Sequence, residues 1–173
     1  MWAIGWLALA AQAQVNDEPQ VADRLVAVVG GSTVVTSFDI ALEQAIAQRD
    51  RSVLPFWDHA DVAEVLIDAA LLRIASADVV LYEPSPEDIR ARADAFRSTF
   101  ATPAEWTDFS TRWGLDDATL GVLARRRLVV ERFLQRNLKS APADREAWLA
   151  ETHALVAALE SRIPVRRITP SSP

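Results

Sequence analysis

Between Arg24 and Ile40 the chain changes its hydrophobic period twice. Leu25 to Val29 is an unbroken apolar run closed by Gly30-Gly31, and a β-branched run from Thr33 to Thr36 follows. Two such runs around a glycine pair predict a β-hairpin, because glycine enters the positive-φ region that tight hairpin turns require. Leu25, Ala27 and Val29 fall on one face of the first strand and Val26 and Val28 on the other. With neither face polar, the pattern predicts a strand covered on both sides, in the middle of a small sheet. A third strand must then come from elsewhere. Ser37 reads as the N-cap of the next element, a helix, with Asp39 set against the positive end of its dipole.

From Ser37 to about Asp50, Phe38, Leu42, Ala45 and Ile46 recur at the three- and four-residue spacing of an apolar helix stripe. A second helix is predicted from His59 or Ala60 to Ala77; Val62, Val65, Leu66, Ala69, Leu72 and Ile74 cover more than one stripe, so it should be well buried. Val79 to Tyr82 reads as extended or a turn. Ser85-Pro86-Glu87-Asp88 starts a third helix, reaching to about Phe100, with a serine cap, a proline in the first turn and two acids behind it. Thr102-Pro103-Ala104-Glu105 repeats the device as a capping box for a short fourth helix that Gly114 ends as C-cap.

Asp116-Asp117 opens a long fifth helix to about Leu138. Its leucines, widened by Val122, Val129, Val130 and Phe133, make it the central one. Pro142 opens the last helix, with Trp148, Leu155, Val156 and Leu159 on its core face. Ile163 to Ile168 is the late segment able to form a strand, and Pro164 confines it to an edge or a strand start. It is the candidate neighbour for Leu25 to Val29. The predicted fold is therefore mainly α, about six helices with a small β-hairpin or three-stranded sheet made by the N-terminal hairpin and the C-terminal strand.

The ends read differently. Residues 2 to 13 are apolar and uncharged, too short for the ~20 residues of a membrane-spanning helix. They fit the apolar region of a secretory signal with a small-x-small site at Ala11-Gln12-Ala13, although no Lys or Arg precedes them. The expected organisation is a signal peptide over 1–13, a polar lead-in over 14–22, one domain over 23–168 and a disordered tail over 169–173. Export to the periplasm, with no membrane span left after cleavage, follows from that reading.

Composition changes the picture only by exclusion. A chain of 173 residues, 50% hydrophobic and 24% charged, has the balance of an ordinary globular domain. Its net charge of −6 argues against general nucleic-acid binding, which needs excess positive charge. Without cysteine there is no disulfide framework, thiolate nucleophile or Cys-type zinc site. His59 and His153 stand at unrelated positions and read as solvated side chains, since a metal site needs about three converging ligands. No cofactor is expected. Arg125-Arg126-Arg127 fans around a helix at ~100° per residue, so it reads as a charged flank, with Glu131 as a local partner for Arg127.

One set of residues has two readings. Phe96, Phe100, Trp106, Phe109 and Trp113 are either plain core or, with Phe56 and Trp57 from the connector before the second helix, the lining of an apolar groove left open for extended polypeptide segments.

Several of these segments also carry a resemblance. Val26-Ala27-Val28-Val29-Gly30 with Thr36-Ser37-Phe38-Asp39-Ile40 resembles the hairpin-and-helix opening of the chaperone domain of SurA-like periplasmic folding factors. Val65-Leu66-Ile67-Asp68 with Leu71-Leu72, then Ser85-Pro86-Glu87-Asp88-Ile89, then Phe96 to Phe100, Trp106 to Phe109 and Gly114-Leu115 resemble that family's later segments in the same order. The similarity covers roughly residues 23 to 140; order and spacing carry it. It implies ATP-independent binding of unfolded or partly folded envelope and outer-membrane polypeptides. The family's parvulin isomerase domain has no counterpart in the residues after Leu138, so no prolyl isomerisation is expected. Two other readings stand beside it: a structural or adaptor subunit that binds one folded envelope partner, and an accessory domain for a separately encoded parvulin-type isomerase.

Overall fold

The computed structural model describes residues 23–49, 61–77 and 79–168. The predicted signal peptide, the lead-in, the tail and the connector carrying Phe56, Trp57 and His59 lie outside the described residues. Within them the chain runs β1 (Leu25–Val29), β2 (Thr33–Thr36), α1 (Ser37–Arg49), α2 (Val62–Ser76), a 3₁₀ turn (Val80–Tyr82), α3 (Pro86–Arg97), α4 (Pro103–Trp113), α5 (Asp117–Asn137), α6 (Arg145–Glu160) and β3 (Val165–Arg167). It is mainly helical with one three-stranded antiparallel sheet, as the pattern predicts.

The sheet order is β2-β1-β3, so the first strand does sit in the middle. Val28 faces Val34 on one side and Arg166 on the other, and Val29 faces Val165. The hairpin turns through Gly30 and Gly31, at φ +61° and +79°. A Cβ at Gly30 would meet Ile74 Cδ1 at 2.8 Å. The Gly30 N–H donates to Pro164 O at 2.9 Å and the Ile168 N–H to Val26 O at 2.7 Å, which fasten the last strand at both ends.

Ala27 and Val29 are fully buried and join Ile67, Leu71 and Leu72 of α2, Phe133 and Leu134 of α5 and Trp148 of α6 in the main core. The other face departs from expectation. Val26 and Val28 are half-buried, while Leu25 and Val34 are exposed, so the first strand is not covered on both sides. β-Branched residues tolerate this because part of their preference for strands comes from cross-strand pairs such as Val28–Val34 rather than from burial alone.

Helix starts follow hydrogen-bond chemistry closely, with four corrections. Ser85 and Asp88 form a reciprocal capping box, and Gly114 ends α4 in the left-handed conformation. At α4 Thr102 caps as predicted, but the Glu105 carboxylate reaches back to the Ala101 N–H, not to Thr102. At α1 the cap is Thr36, not Ser37: Thr36 Oγ1 accepts from the Asp39 N–H and the Asp39 carboxylate accepts from the Thr36 N–H at 2.8 Å. Ser37 Oγ instead accepts from the Arg24 N–H and donates to Asp23, whose carboxylate also accepts from the Phe38 N–H. That backbone bond holds the Asp23 carboxyl below its ordinary range. At α6 the cap is Asp144, so Pro142 lies outside the helix it was expected to open. α2 also starts later, at Val62 behind an Asp61 cap.

α5 is central, yet Val122 is exposed, so its apolar surface is narrower than predicted. The three arginines do fan apart. Arg125 forks onto Glu83, Arg126 is exposed, and Arg127 is buried against Glu43 of α1 at 2.6 Å. Glu131, the expected local partner of Arg127, binds Arg92 of α3 at 2.7 Å. Arg127 is therefore a core residue and not part of a solvated flank.

Candidate binding surface

Trp106, Phe109 and Trp113 repeat at three- and four-residue intervals and so share one face of α4. The acids, serine and threonines of that helix occupy the rest of its circumference. α4 has no fully buried residue; all three rings are half-buried. Beneath them Phe96 and Phe100 are 4% and 8% exposed and belong to a second core cluster with Ile46, Ala93 and Leu120. Of the seven predicted groove residues, then, Phe96 and Phe100 are the floor of the site, not its lining. Trp106, Phe109 and Trp113 reach the surface, and Phe56 and Trp57 lie outside the described residues.

The rings form a continuous series. Phe100 meets Trp106 at 5.4 Å and Phe109 at 5.1 Å between centroids, Trp106 and Phe109 stack at 6.4 Å, and Phe109 meets Trp113 at 6.3 Å. The series ends at Phe38 of α1, 5.7 Å from Trp113 and 44% exposed. Phe38 was expected on the core face of its helix. Its place in the surface was hidden because α1 and α4 are brought together only by tertiary packing. Such pairs add ~0.5–1.5 kcal/mol each beyond burial, so the series holds its shape without being sealed.

Cations border the rings. The guanidinium of Arg49 lies 4.8 Å from the centre of Phe100, Arg97 lies 5.7 Å from Trp106, and Arg112 lies 5.7 Å from Trp113. Arg49 also reaches Glu105 at 3.5 Å, tying the end of α1 to the start of α4. Between these helices opens a cleft of about 540 Å³, lined by Gln44, Gln48, Asp108, Phe109, Arg112 and Trp113. Its chemistry is that of a contact surface: π faces for apolar or cationic side chains, and amides able to bond a passing backbone.

Among the described residues no group of three His, Cys, Asp or Glu side chains is arranged to hold a metal ion. No helix among them is long and apolar enough to cross a membrane. No protein-family model matches the chain, and no curated protein or solved structure is significantly similar to it.

Proposed function

We propose that the protein is a chaperone-like domain of the periplasm, similar in kind to the chaperone domain of SurA-like folding factors. It holds unfolded or partly folded envelope and outer-membrane polypeptides without ATP and without prolyl isomerisation. The observation that carries this reading is the half-buried aromatic series Trp106–Phe109–Trp113–Phe38 beside an open cleft, on a helix with no fully buried residue. Broad apolar and π contacts with few fixed hydrogen bonds suit weak binding of many sequences.

Purified residues 14–173 are expected to suppress light scattering when an unfolded outer-membrane protein is diluted from urea. The double variant Trp106→Ala/Trp113→Ala should need roughly tenfold more protein for the same protection, since anchor aromatics contribute ~2 kcal/mol or more. Unimpeded aggregation at excess wild-type domain would sink the chaperone reading.

The ion pairs Arg49–Glu105 and Arg97–Asp117 pre-organise the rim, which favours a second reading, an adaptor for one folded partner. Capture from envelope extract separates the two: many unfolded clients for a chaperone, one stoichiometric protein for an adaptor.

A further inference from the structure

On the face of the molecule where β2 meets α2 and α5, two hollows share one rim. The inner is an apolar cavity of about 140 Å³ walled by Val35, Leu66, Ala69, Leu123 and Val130. The outer is a cleft of about 650 Å³ bordered by Val79, Val80 and Val129. Thr33, Arg73 and Arg126 line both and so stand at the junction.

Every carboxylate among the described residues that borders these hollows already has a partner. Glu43 is bonded to Arg127, Asp39 to Thr36, and Glu83 to Arg125. Arg73 and Arg126 have no ion pair or hydrogen bond among the described residues, and each repels the other. Arg73 is partly buried, and that burial first, then the charge of Arg126, disfavours its protonated form. Two adjacent cations at the mouth of an apolar cavity, with no anion between them among the described residues, are complementary to a carboxylate attached to an apolar group.

Size narrows the choice. The inner cavity is close to the roughly 150 Å³ that accommodates a benzene ring in an apolar protein interior, and is too small for a long acyl chain. The outer cleft leaves space on the far side of the two arginines, where a free small carboxylate would have nothing to place. A polypeptide end has all three parts: a terminal side chain, a carboxylate beside it, and preceding residues that leave through the cleft. Val79 and Val80, 41% and 88% exposed, offer those residues an apolar border.

We propose that this groove binds the carboxyl-terminal residue of a polypeptide, its apolar side chain in the inner cavity and its carboxylate between Arg73 and Arg126. The site stands apart from the aromatic series on α4 and does not depend on the function proposed for it.

Fluorescence anisotropy with a short labelled peptide ending in phenylalanine, as the free acid and as the amide, tests it on residues 14–173. The acid should bind at least about tenfold more tightly than the amide, the span of one lost charge-assisted contact. Arg73→Gln or Arg126→Gln should weaken the acid to the level of the amide and leave the amide unchanged. Removing one of two like charges should leave the thermal midpoint equal or higher, so loss of fold will not mimic loss of binding. Ala69→Leu, which fills the cavity, should weaken both peptides. Trp113→Ala should leave both affinities as they are, which separates this site from the chaperone reading. Equal binding of acid and amide, or indifference to both arginine variants, would overturn the proposal. So would phenylpropionate binding as tightly as the peptide, which would assign the groove to a free small carboxylate.

Discussion

Glu43→Leu is expected to destabilise the fold by about 3–5 kcal/mol, and adding Arg127→Met is expected to recover most of that loss. The two side chains meet at 2.6 Å and are 7% and 8% exposed, inside the seam between α1 and α5. Removing the carboxylate alone leaves a guanidinium in that seam without it. Replacing both with apolar groups of similar volume removes the desolvation penalty of the two ions together, so the double variant should match or exceed the parent.

The acid dependence of the pair has a definite sign. Burial raises the Glu43 carboxyl above its ordinary range, while the charge of Arg127 opposes the rise. A raised carboxyl takes up its proton more readily in the folded state. Its contribution to stability therefore declines as pH rises from the ordinary value near 4.5 through the raised one. Urea midpoints across that window should show this decline in the parent and not in the double variant. Exposed carboxylates such as Asp88 and Glu83 lie below their ordinary range and act oppositely, losing their contribution as pH falls through their lowered values. Equal stability of Glu43→Leu and parent would show that the pair carries no structural weight.

Ending the chain at Ser161 is expected to remove roughly 4–6 kcal/mol. Each lost backbone hydrogen bond contributes ~1 kcal/mol, and each half-buried apolar side chain about as much. The losses are the β1–β3 ladder, the flanking bonds Gly30 N–H to Pro164 O and Ile168 N–H to Val26 O, and the packing of Ile163 and Val165 on the main core. The ion pairs of Arg167 to Glu64 and Glu160 add little, because the arginine side chain is 45% exposed. Domains hold only ~5–15 kcal/mol in all, so the shortened chain should sit near its midpoint in water. It would also bare the open side of β1, a template for pairing with another chain. Urea titration with light scattering reads both effects. A shortened chain with the parent's midpoint would show that β3 is an ornament and not a clasp.

Legibility in the sequence followed the range of the interaction involved. Caps act over three or four residues, and Ser85, Thr102, Asp116 and Gly114 are where the local pattern puts them. Even there, neighbouring candidates compete. At α1 the threonine beside Ser37 takes the cap because Ser37 is engaged by Arg24 and Asp23 of the preceding segment. Strand pairing was legible because Gly30-Gly31 demanded a hairpin and a single late segment could supply its neighbour. The Glu43–Arg127 pair was not, since its partners are 84 residues apart and a closer acid, Glu131, met the helix-spacing rule. The aromatic residues divided for the same reason. All five share composition and spacing, and only the packing of α4 across α3 and α1 decides that Phe96 is sealed while Trp113 reaches the surface.

The central position of β1 governs how the molecule must assemble. It and one of its two neighbours, β3, stand near opposite limits of the described residues, with all six helices between them. For that pairing, loop closure must be met before the contact rewards it, and this slows the docking of β3. The hairpin therefore waits with one side unmatched until residues 165–167 arrive to pair with it. Because Val26 and Ile168, near the two limits of the described residues, lie side by side, the domain is also suited to circular permutation, those limits joined by a short linker and new ends opened in an exposed loop.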